Sequence, residues 1–432
     1  MLTTDIILSL TPGRRPVAEL DPATGVSFHS SRVRPGDAFF ALPGANQHGI
    51  SFAAAALERG AAFIVSDRAH PMGVTVDDPR GALLALGNYA RSQLSDPVIG
   101  VSGSAGKTST KAFLAYTLGA KTSPGNYNTP LALAAVLTDT WLQGNHHQPL
   151  VLELGIDHRG EMAELLDLVK PTHGLLTIIA ESHLSGIGTL SSVAEEKARL
   201  LAASEVGLAS LQAAQLLPAR LKERVYTYAL AGQGATFEAE LLEQTPFQQR
   251  IRFEGVTFTL PYPGRAMAEN ATGALAMASL LGNSIEASAR SLERAVIEPG
   301  RLQHRRIAGA LVLDDTYNSN PASARLALEV LSGCPPPRTA ILGDMLELGE
   351  RGPALHEELG RLTRGIEHVI AVGPLGAHLK RGNPEAKHLP DTEAALSLIG
   401  DIPLEGSLLI KASRGMRFEK LIDEIARNEG TR

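Results

Sequence analysis

The segment Val98-Ile-Gly-Val-Ser-Gly-Ser-Ala-Gly-Lys-Thr-Ser-Thr-Lys111 restricts the fold of this chain more than any other. Val98 to Val101 read as a buried parallel strand. Gly103 and Gly106 then allow backbone dihedrals that other residues resist, and Lys107-Thr108 open a helix carrying Ala112, Phe113, Ala115, Tyr116 and Leu118. A strand, a glycine turn and a helix start point free N–H groups and the positive helix end at one place, which suits a phosphate group. The spacing therefore predicts that Gly103, Ser104, Ala105, Gly106, Lys107, Thr108 and Ser109 cradle a nucleotide, with the Lys107 ammonium on the outer phosphates and the Thr108 hydroxyl on Mg2+. Val101 stands where the full G-x-x-x-x-G-K-[ST] pattern has its first glycine, so the flanking strand and helix carry this reading; a structural turn is the alternative.

A chain of 432 residues is too long for one core and fits two or three domains. Hydrophobic residues make up 44% and charged residues 20%, as in an ordinary soluble protein, and a net charge of −6 gives no basic surface for nucleic acid or anionic membrane. The one cysteine, Cys334, precedes Pro335-Pro-Pro337 and reads as a passive loop residue. Met1-Leu-Thr-Thr-Asp-Ile-Ile lacks a basic segment followed by a long apolar one, and no stretch reaches bilayer length. A reducing, cytoplasmic location without membrane insertion is expected.

Alternation of short strands and helices marks an α/β chain in three segments. Residues 1–96 form a small α/β unit, with strands at Asp37–Leu42 and Ala61–Ser66 around a helix near Ile50–Arg59. Residues 97–298 begin with the phosphate loop and continue with strands at Leu150–Leu154 and Gly174–Ile179, helices near Glu161–Val169 and Ser192–Ala203, a hairpin turning at Glu254-Gly255, and a helix about Ala266–Leu281. Pro299-Gly300 reads as a hinge. Residues 299–432 form a second doubly wound sheet, with strands at Ala310–Asp314, Thr339–Gly343, His368–Val372 and Ser407–Lys411.

Open α/β sheets place ligands at the carboxyl ends of their strands, and several polar residues stand at such ends. Glu153 interrupts an otherwise apolar strand, and a buried carboxylate there needs a cation or a donor partner; Mg2+ and a structural pairing with an arginine are the alternatives. Glu181-Ser-His183 follows another strand, where a metal or phosphate contact competes with a plain loop histidine. Lys197 lies on a helix where a solvated lysine is the bland expectation. Asp314-Asp-Thr-Tyr-Asn-Ser-Asn-Pro321 is too polar for core: Asp315 could accept from ribose hydroxyls, Asn318 and Asn320 could meet base or substrate, and an Asx turn capping the next helix is compatible with both. Gly343-Asp-Met-Leu-Glu-Leu-Gly349 with His356, and Lys411-Ala-Ser-Arg414, occupy later strand ends. Ser31 and Arg32 are candidates for phosphate or uracil contact in the first segment.

Taken in order, Gly103-Ser-Ala-Gly-Lys-Thr108, Glu153-Leu-Gly155 with Gly160-Glu161, His183-Leu184, Glu196-Lys197, Asp314–Pro321, Leu342–Gly349 and Lys411–Arg414 resemble the Mur ligases over nearly the whole chain. The Asp-Asp-x-Tyr-Asn-x-Asn-Pro and Gly-Asp-Met-x-Glu-Leu-Gly strings are the most specific. The resemblance implies the three-domain Mur ligase architecture: an N-terminal UDP-sugar domain (1–96), a central P-loop ATPase (97–298) and a C-terminal Rossmann-like domain (299–432). It implies an ATP-dependent amide ligase, of the kind that joins D-Ala-D-Ala to UDP-N-acetylmuramoyl-tripeptide through an acyl phosphate, acting as a monomer in peptidoglycan synthesis. A Mur-type ligase with another amine and carboxylate, or a P-loop ATPase or kinase, is the alternative.

On this resemblance ATP and Mg2+ are the cofactors, and Lys107, His183 and Lys197 are catalytic. Thr108 and Glu153 hold one Mg2+ and His183 helps to hold a second, while Lys197 aligns with the lysine that family members carbamylate. Asn270, Arg301 and Asp315 match nucleotide contacts. Ser31, Arg32, Asn126, Asn128, Asn318, Asn320, Asp344, Lys411 and Arg414 match substrate positions. Three places depart from the family pattern: Ser30 for an aspartate before Ser31-Arg32, the shortened Gly125-Asn-Tyr-Asn-Thr-Pro130 that corresponds to a muramoyl-contacting loop, and Ala266-Met267 for His-Asn.

Overall fold

A computed structural model describes residues 1–16, 19–95, 97–144, 146–307, 309–399 and 405–429. Three sheets account for its strands. The first contains β1 (Gly13–Arg14), β2 (Gly25–Ser27), β3 (Asp37–Phe40), β4 (Phe63–Ser66) and β5 (Gly73–Val76) in the order β1-β5-β4-β3-β2. Its strands pair in parallel except for β1, which is antiparallel to β5.

The second sheet has nine strands: β6 (Val98–Ser102), β7 (Lys121–Thr122), β8 (Leu150–Glu153), β9 (His173–Leu176), β10 (Val206–Ser210), β11 (Val225–Leu230), β12 (Phe237–Gln244), β13 (Gln249–Phe253) and β14 (Val256–Leu260). They lie in the order β14-β13-β12-β11-β10-β9-β6-β8-β7. The β13–β14 hairpin adds antiparallel strands at one edge, as the sequence predicts, with Glu254 and Gly255 both at positive φ in the turn. The third sheet contains β15 (Gln303–Ile307), β16 (Ala310–Asp315), β17 (Arg338–Gly343), β18 (His368–Val372), β19 (Lys387–Leu389) and β20 (Ser407–Lys411), ordered β15-β16-β20-β17-β18-β19. Only the β15–β16 pair in it is antiparallel. Strands β16, β17 and β20 are almost wholly buried, which explains their continuous apolar sequence.

The chain forms two compact units. One consists of Met1–Gly100, Lys121–Gly155 and Met162–Thr172; the other of Val101–Ala120, Ile156–Glu161 and His173–Arg432. In the first, the buried Asp37 carboxylate accepts from Arg34 N at 2.9 Å, and Arg34 also donates to Asp139 at 2.6 Å. Asp139 lies on the helix Pro130–Leu142 and takes a second bond from Val26 N at 2.9 Å, so one polar network, with Asp37 buried and Arg34 exposed, ties that helix to the first sheet. Among the described residues no helix is long and apolar enough to cross a membrane.

Candidate functional site

In the second unit the chain leaves β6 at Ser102 and enters the helix Lys107–Leu118 through the glycine turn. Gly103 has φ +148°, and a Cβ there would stand 1.8 Å from Thr177 Oγ1; Gly106 has φ +85°, and a Cβ would stand 2.5 Å from Asn270 Oδ1. Both positions therefore need glycine, for conformation and for space. Lys107 folds back over the turn, its Nζ donating to Gly103 O at 2.8 Å. Ser104 Oγ is buried in a local network: it donates to Ala180 O at 2.8 Å and accepts from Ala180 N at 2.9 Å and Ser182 Oγ at 3.0 Å.

Residues far along the chain reach this turn. Asn320 Nδ2 donates to Ser104 O at 3.0 Å, and Arg301 Nη2 donates to Thr108 Oγ1 at 2.9 Å. The Arg301 guanidinium lies over the Tyr317 ring, 3.8 Å from its centroid. Asn270, buried on the helix Arg265–Leu280, faces Gly106. Of the nucleotide candidates, Gly103 to Ser109, Asn270 and Arg301 are thus brought together. Ser109 is buried within the first helical turn. Asp315 is one shell away: its carboxylate accepts from Leu302 N at 3.1 Å and from Lys411 Nζ at 2.6 Å, which fixes the backbone beside Arg301. Lys411 is fully buried and donates also to Asn318 O at 2.9 Å; burial lowers its pKa, and the Asp315 charge opposes the shift.

The remaining candidates of the third segment are occupied in holding strand ends. Asn318 Oδ1 accepts from Ser319 N at 2.9 Å, and Asn320 Oδ1 accepts from Ser323 N at 2.9 Å, capping the helix Pro321–Ser332. Arg414 lies 5.4 Å from the Tyr317 ring centroid and pairs with Glu419 at 3.4 Å. The Asp344 side chain is turned inward: it accepts from Gly376 N at 3.0 Å, and burial raises its pKa. His356 is a buried brace whose Nε2 accepts from Met345 N at 2.9 Å.

His183 sits at φ +52°, with Nδ1 3.0 Å from Asp157 Oδ1 and 2.7 Å from Glu347 Oε2. One ligand atom from each of the three residues lies within 4.8 Å of the others, a spacing compatible with a cation. Burial lowers the His183 pKa, but the hydrogen bonds to Asp157 and Glu347 outweigh it and leave the imidazole above its ordinary value. Asp157, bonded to His183, is held below the usual carboxylate range. A Cβ at Gly186 would stand 2.0 Å from Asp157 O, so that glycine permits the loops to approach. Asp157 carries no sequence signal of its own, because an exposed loop acid looks like solvated charge, and Glu347, although inside the specific Gly343–Gly349 string, is not marked there as a partner of His183; the glycines at 186 and 349 are the nearest hint. Lys197 lies on the helix Leu190–Ala203 and is 1% exposed, which overturns the solvated reading. Its neighbour Glu196 accepts from Gly160 N at 2.9 Å, joining the Gly160-Glu161 turn to the same helix.

In the first unit Glu153 ends β8, 3% exposed, and its carboxylate accepts from Asn128 Nδ2 at 3.2 Å. A Cβ at Gly155 would stand 2.5 Å from Asn128 Nδ2, so the glycine of Glu153-Leu-Gly155 makes room for this bond. In the same unit Arg32 lies 5.1 Å from the Tyr127 ring centroid, and Tyr127 is 6.2 Å from Phe28. The short 125–130 loop and the Ser30–Arg32 turn, two of the departures seen in the sequence, are therefore neighbours. Ser31 and Asn126 are exposed beside them.

Comparison with known proteins gives matches along the chain. Family models match in three stretches: the Mur ligase family catalytic domain at residues 22–83, the Mur ligase middle domain at 101–278 and the Mur ligase glutamate ligase domain at 300–414. The UDP-N-acetylmuramoyl-tripeptide--D-alanyl-D-alanine ligase of Rickettsia prowazekii is 30% identical over 426 residues, covering 92% of this chain and 94% of that protein. A crystal structure of MurF from Acinetobacter baumannii is similar with a TM-score of 0.86 at 28% identity, covering 99% of both chains. MurF of Thermotoga maritima in complex with ADP is similar with a TM-score of 0.79 at 25% identity, covering 94% of this chain and 98% of that one.

Proposed function

The chain belongs to the Mur ligase family, and from that premise we propose that it joins D-alanyl-D-alanine to UDP-N-acetylmuramoyl-tripeptide in peptidoglycan precursor synthesis. The observation that carries the ATP-dependent half of this reading is the meeting of Lys107, Arg301 and Asn320 on one glycine turn, two cations and an amide around a phosphate-shaped cradle. The glycines at 103 and 106 let the turn pack against Thr177 and Asn270, where a Cβ would collide. The likeness to UDP-N-acetylmuramoyl-tripeptide--D-alanyl-D-alanine ligases over nearly the whole chain supports the choice of substrates.

The chemistry follows from a poor leaving group. A carboxylate cannot lose oxide to an amine, so the γ-phosphoryl group of ATP is first transferred to the terminal carboxylate of the tripeptide. The dipeptide amine then attacks that carbonyl carbon, the new C–N bond forms, the amine loses a proton, and inorganic phosphate departs with the C–O bond's electrons. Lys107 and Arg301 neutralise the phosphate oxygens as charge moves onto them. Mg2+ would supply further neutralisation and alignment when bound; on the family resemblance Thr108 and Glu153 would hold one ion and His183 would help to hold a second. Carbamylation of Lys197 would add an anionic ligand by turning a cationic side chain into a carboxylate-like one. Asn270 contacts the nucleotide, and Asp315 with Lys411 anchors the side of the site built by residues 299–432. Residues 1–96 take the UDP-sugar, with Ser31, Arg32, Asn126 and Asn128 meeting it, and residues 97–298 form the ATPase domain. Asn318, Asn320 and Arg414 border the incoming substrate, and Asp344 acts from behind as a brace. The enzyme is proposed to work as a cytoplasmic monomer.

The test supplies ATP with UDP-N-acetylmuramoyl-tripeptide and D-alanyl-D-alanine, singly and together. ADP release that needs both, with a new amide in the product, is expected; release with neither would make the protein an ATPase.

A further inference from the structure

The string Gly343-Asp-Met-Leu-Glu-Leu-Gly349 is among the most specific in the chain, yet the steps above give its glutamate no task. Its backbone is unusually well fastened. Asp344 N donates to Met416 Sδ at 2.8 Å, Met345 N to His356 Nε2 at 2.9 Å and Leu346 N to Ser413 Oγ at 2.9 Å. His356 accepts at Nε2, so its Nδ1 carries the proton and donates to Gly352 O at 2.7 Å. With three successive N–H groups tied to side chains, the next residue is presented in a fixed direction. That residue, Glu347, stands at φ +65°, a region non-glycine residues enter only when the surroundings impose it.

It meets another such residue. Glu347 Oε2 lies 2.7 Å from Nδ1 of His183, itself at φ +52°. The contact is flanked on both sides: Ser185 N and Oγ each approach Glu347 O at 3.4 Å, and Glu181 pairs with Arg351. Behind His183 the chain is fastened to the phosphate turn, through Ser182 Oγ to Ser104 Oγ and Ala180 N to Ser104 Oγ. Both partners belong to the second compact unit. An ion pair therefore links the braced string to His183, and hydrogen bonds from the residues just before His183 link that loop to Ser104.

We propose that Glu347 is a positioning residue for the ligase reaction: it sets the direction of the His183 imidazole and, through residues 180–182, the phosphate turn, so that nucleotide chemistry depends on the seating of residues 343–349. The role rests on the ligase reading, since it concerns how that reaction's ATP side is held. Asp157 lies on the same imidazole nitrogen and gives a second carboxylate, from a loop whose own N–H groups at Asp157, His158 and Gly160 are held by Glu161 and Glu196.

The test uses the full-length enzyme with four variants and one double variant, all compared by melting temperature, kcat, and KM for each substrate. Glu347→Ala is expected to lower kcat about tenfold with the melting temperature and the KM for the UDP-tripeptide unchanged, whereas Glu347→Gln, which keeps a carbonyl acceptor, stays within about threefold of wild type. A Glu347→Ala enzyme with normal kcat, or a Glu347→Gln enzyme as slow as Glu347→Ala, would overturn the role. Glu181→Arg and Arg351→Glu, at the pair that flanks the contact, are each expected to lower kcat about threefold, and the double exchange to restore it. Failure of the double exchange to restore what the single changes remove would also overturn it, and this arm decides the matter if Glu347→Ala does not fold. A wild-type enzyme that forms no amide refutes the ligase reading itself, before any variant is compared.

Discussion

Arg301 donates to the Thr108 hydroxyl at 2.9 Å while its guanidinium lies over Tyr317, 3.8 Å from the ring centroid. A planar, delocalised cation can do both at once; an ammonium cannot reproduce the stacked geometry. Arg301→Lys should therefore raise the KM for ATP about tenfold, on the order of 1.4 kcal/mol. ADP release measured with ATP varied and both other substrates saturating checks this, and an unchanged KM would contradict the placement of Arg301 at the nucleotide.

The bond from Asn128 to Glu153 predicts a metal phenotype at a residue that is not itself a proposed metal ligand. Asn128→Ala removes the donor, and Gly155→Ala displaces it by putting a Cβ 2.5 Å from the amide nitrogen. Groups that orient a metal-binding carboxylate commonly change affinity about 10- to 100-fold. Both variants should need more Mg2+ for half-maximal rate, at unchanged melting temperature. A Mg2+ titration that superimposes on wild type would remove Glu153 from the metal site.

Lys197 is buried on its helix, and the proposed carbamate makes it an anionic ligand. Lys197→Ala should lose most activity, and added short carboxylates such as acetate or formate should restore part of it by occupying the vacated volume. No restoration at any carboxylate concentration leaves the carbamate without support.

Much of this was open to inspection in the sequence, for identifiable reasons. The strand, turn and helix at 98–118 are legible because glycines at 103 and 106 and the apolar period leave few alternatives, and the helix begins at Lys107 as predicted. The strand expected at Gly174–Ile179 ends early, at Leu176, because Thr177 Oγ1 turns to Ala105 O at 2.6 Å and Ile178 bridges to Ala105. The helix expected near Ile50–Arg59 opens as a 3-10 turn over Gly49–Phe52 before the α-helix Ala53–Glu58, since the His48 ring accepts from Ile50 N at the start. Composition could not distinguish Asp344, which faces a backbone amide, from Glu347, which faces His183; two acids three residues apart in one string look alike until the fold assigns their directions. Asp157 was hidden for the same reason.

Cys334, which bonds Val330 O and none of the site residues named above, offers a control. Burial pushes its thiol up to about 11 from an ordinary value of 9.0, and Sγ donates to Val330 O at 3.2 Å. Because the folded value is the higher one, the stability this group contributes is present below 9.0 and is lost as pH rises through about 11. A thiolate-selective reagent should label it slowly near neutrality and faster toward that pH, and Cys334→Ala should keep full kcat. Rapid inactivation by the reagent at neutral pH would give the thiol a role in catalysis.

The central claim is that ATP activates a carboxylate which an amine then captures, and trapping the activated acid tests it most directly. Hydroxylamine supplied in place of D-alanyl-D-alanine, with ATP and UDP-N-acetylmuramoyl-tripeptide, should yield the tripeptide hydroxamate in step with ADP, and Lys107→Ala should yield none. ADP formation with no hydroxamate, while the normal amide still accumulates when the dipeptide is present, would contradict a phosphorylated carboxylate on the path.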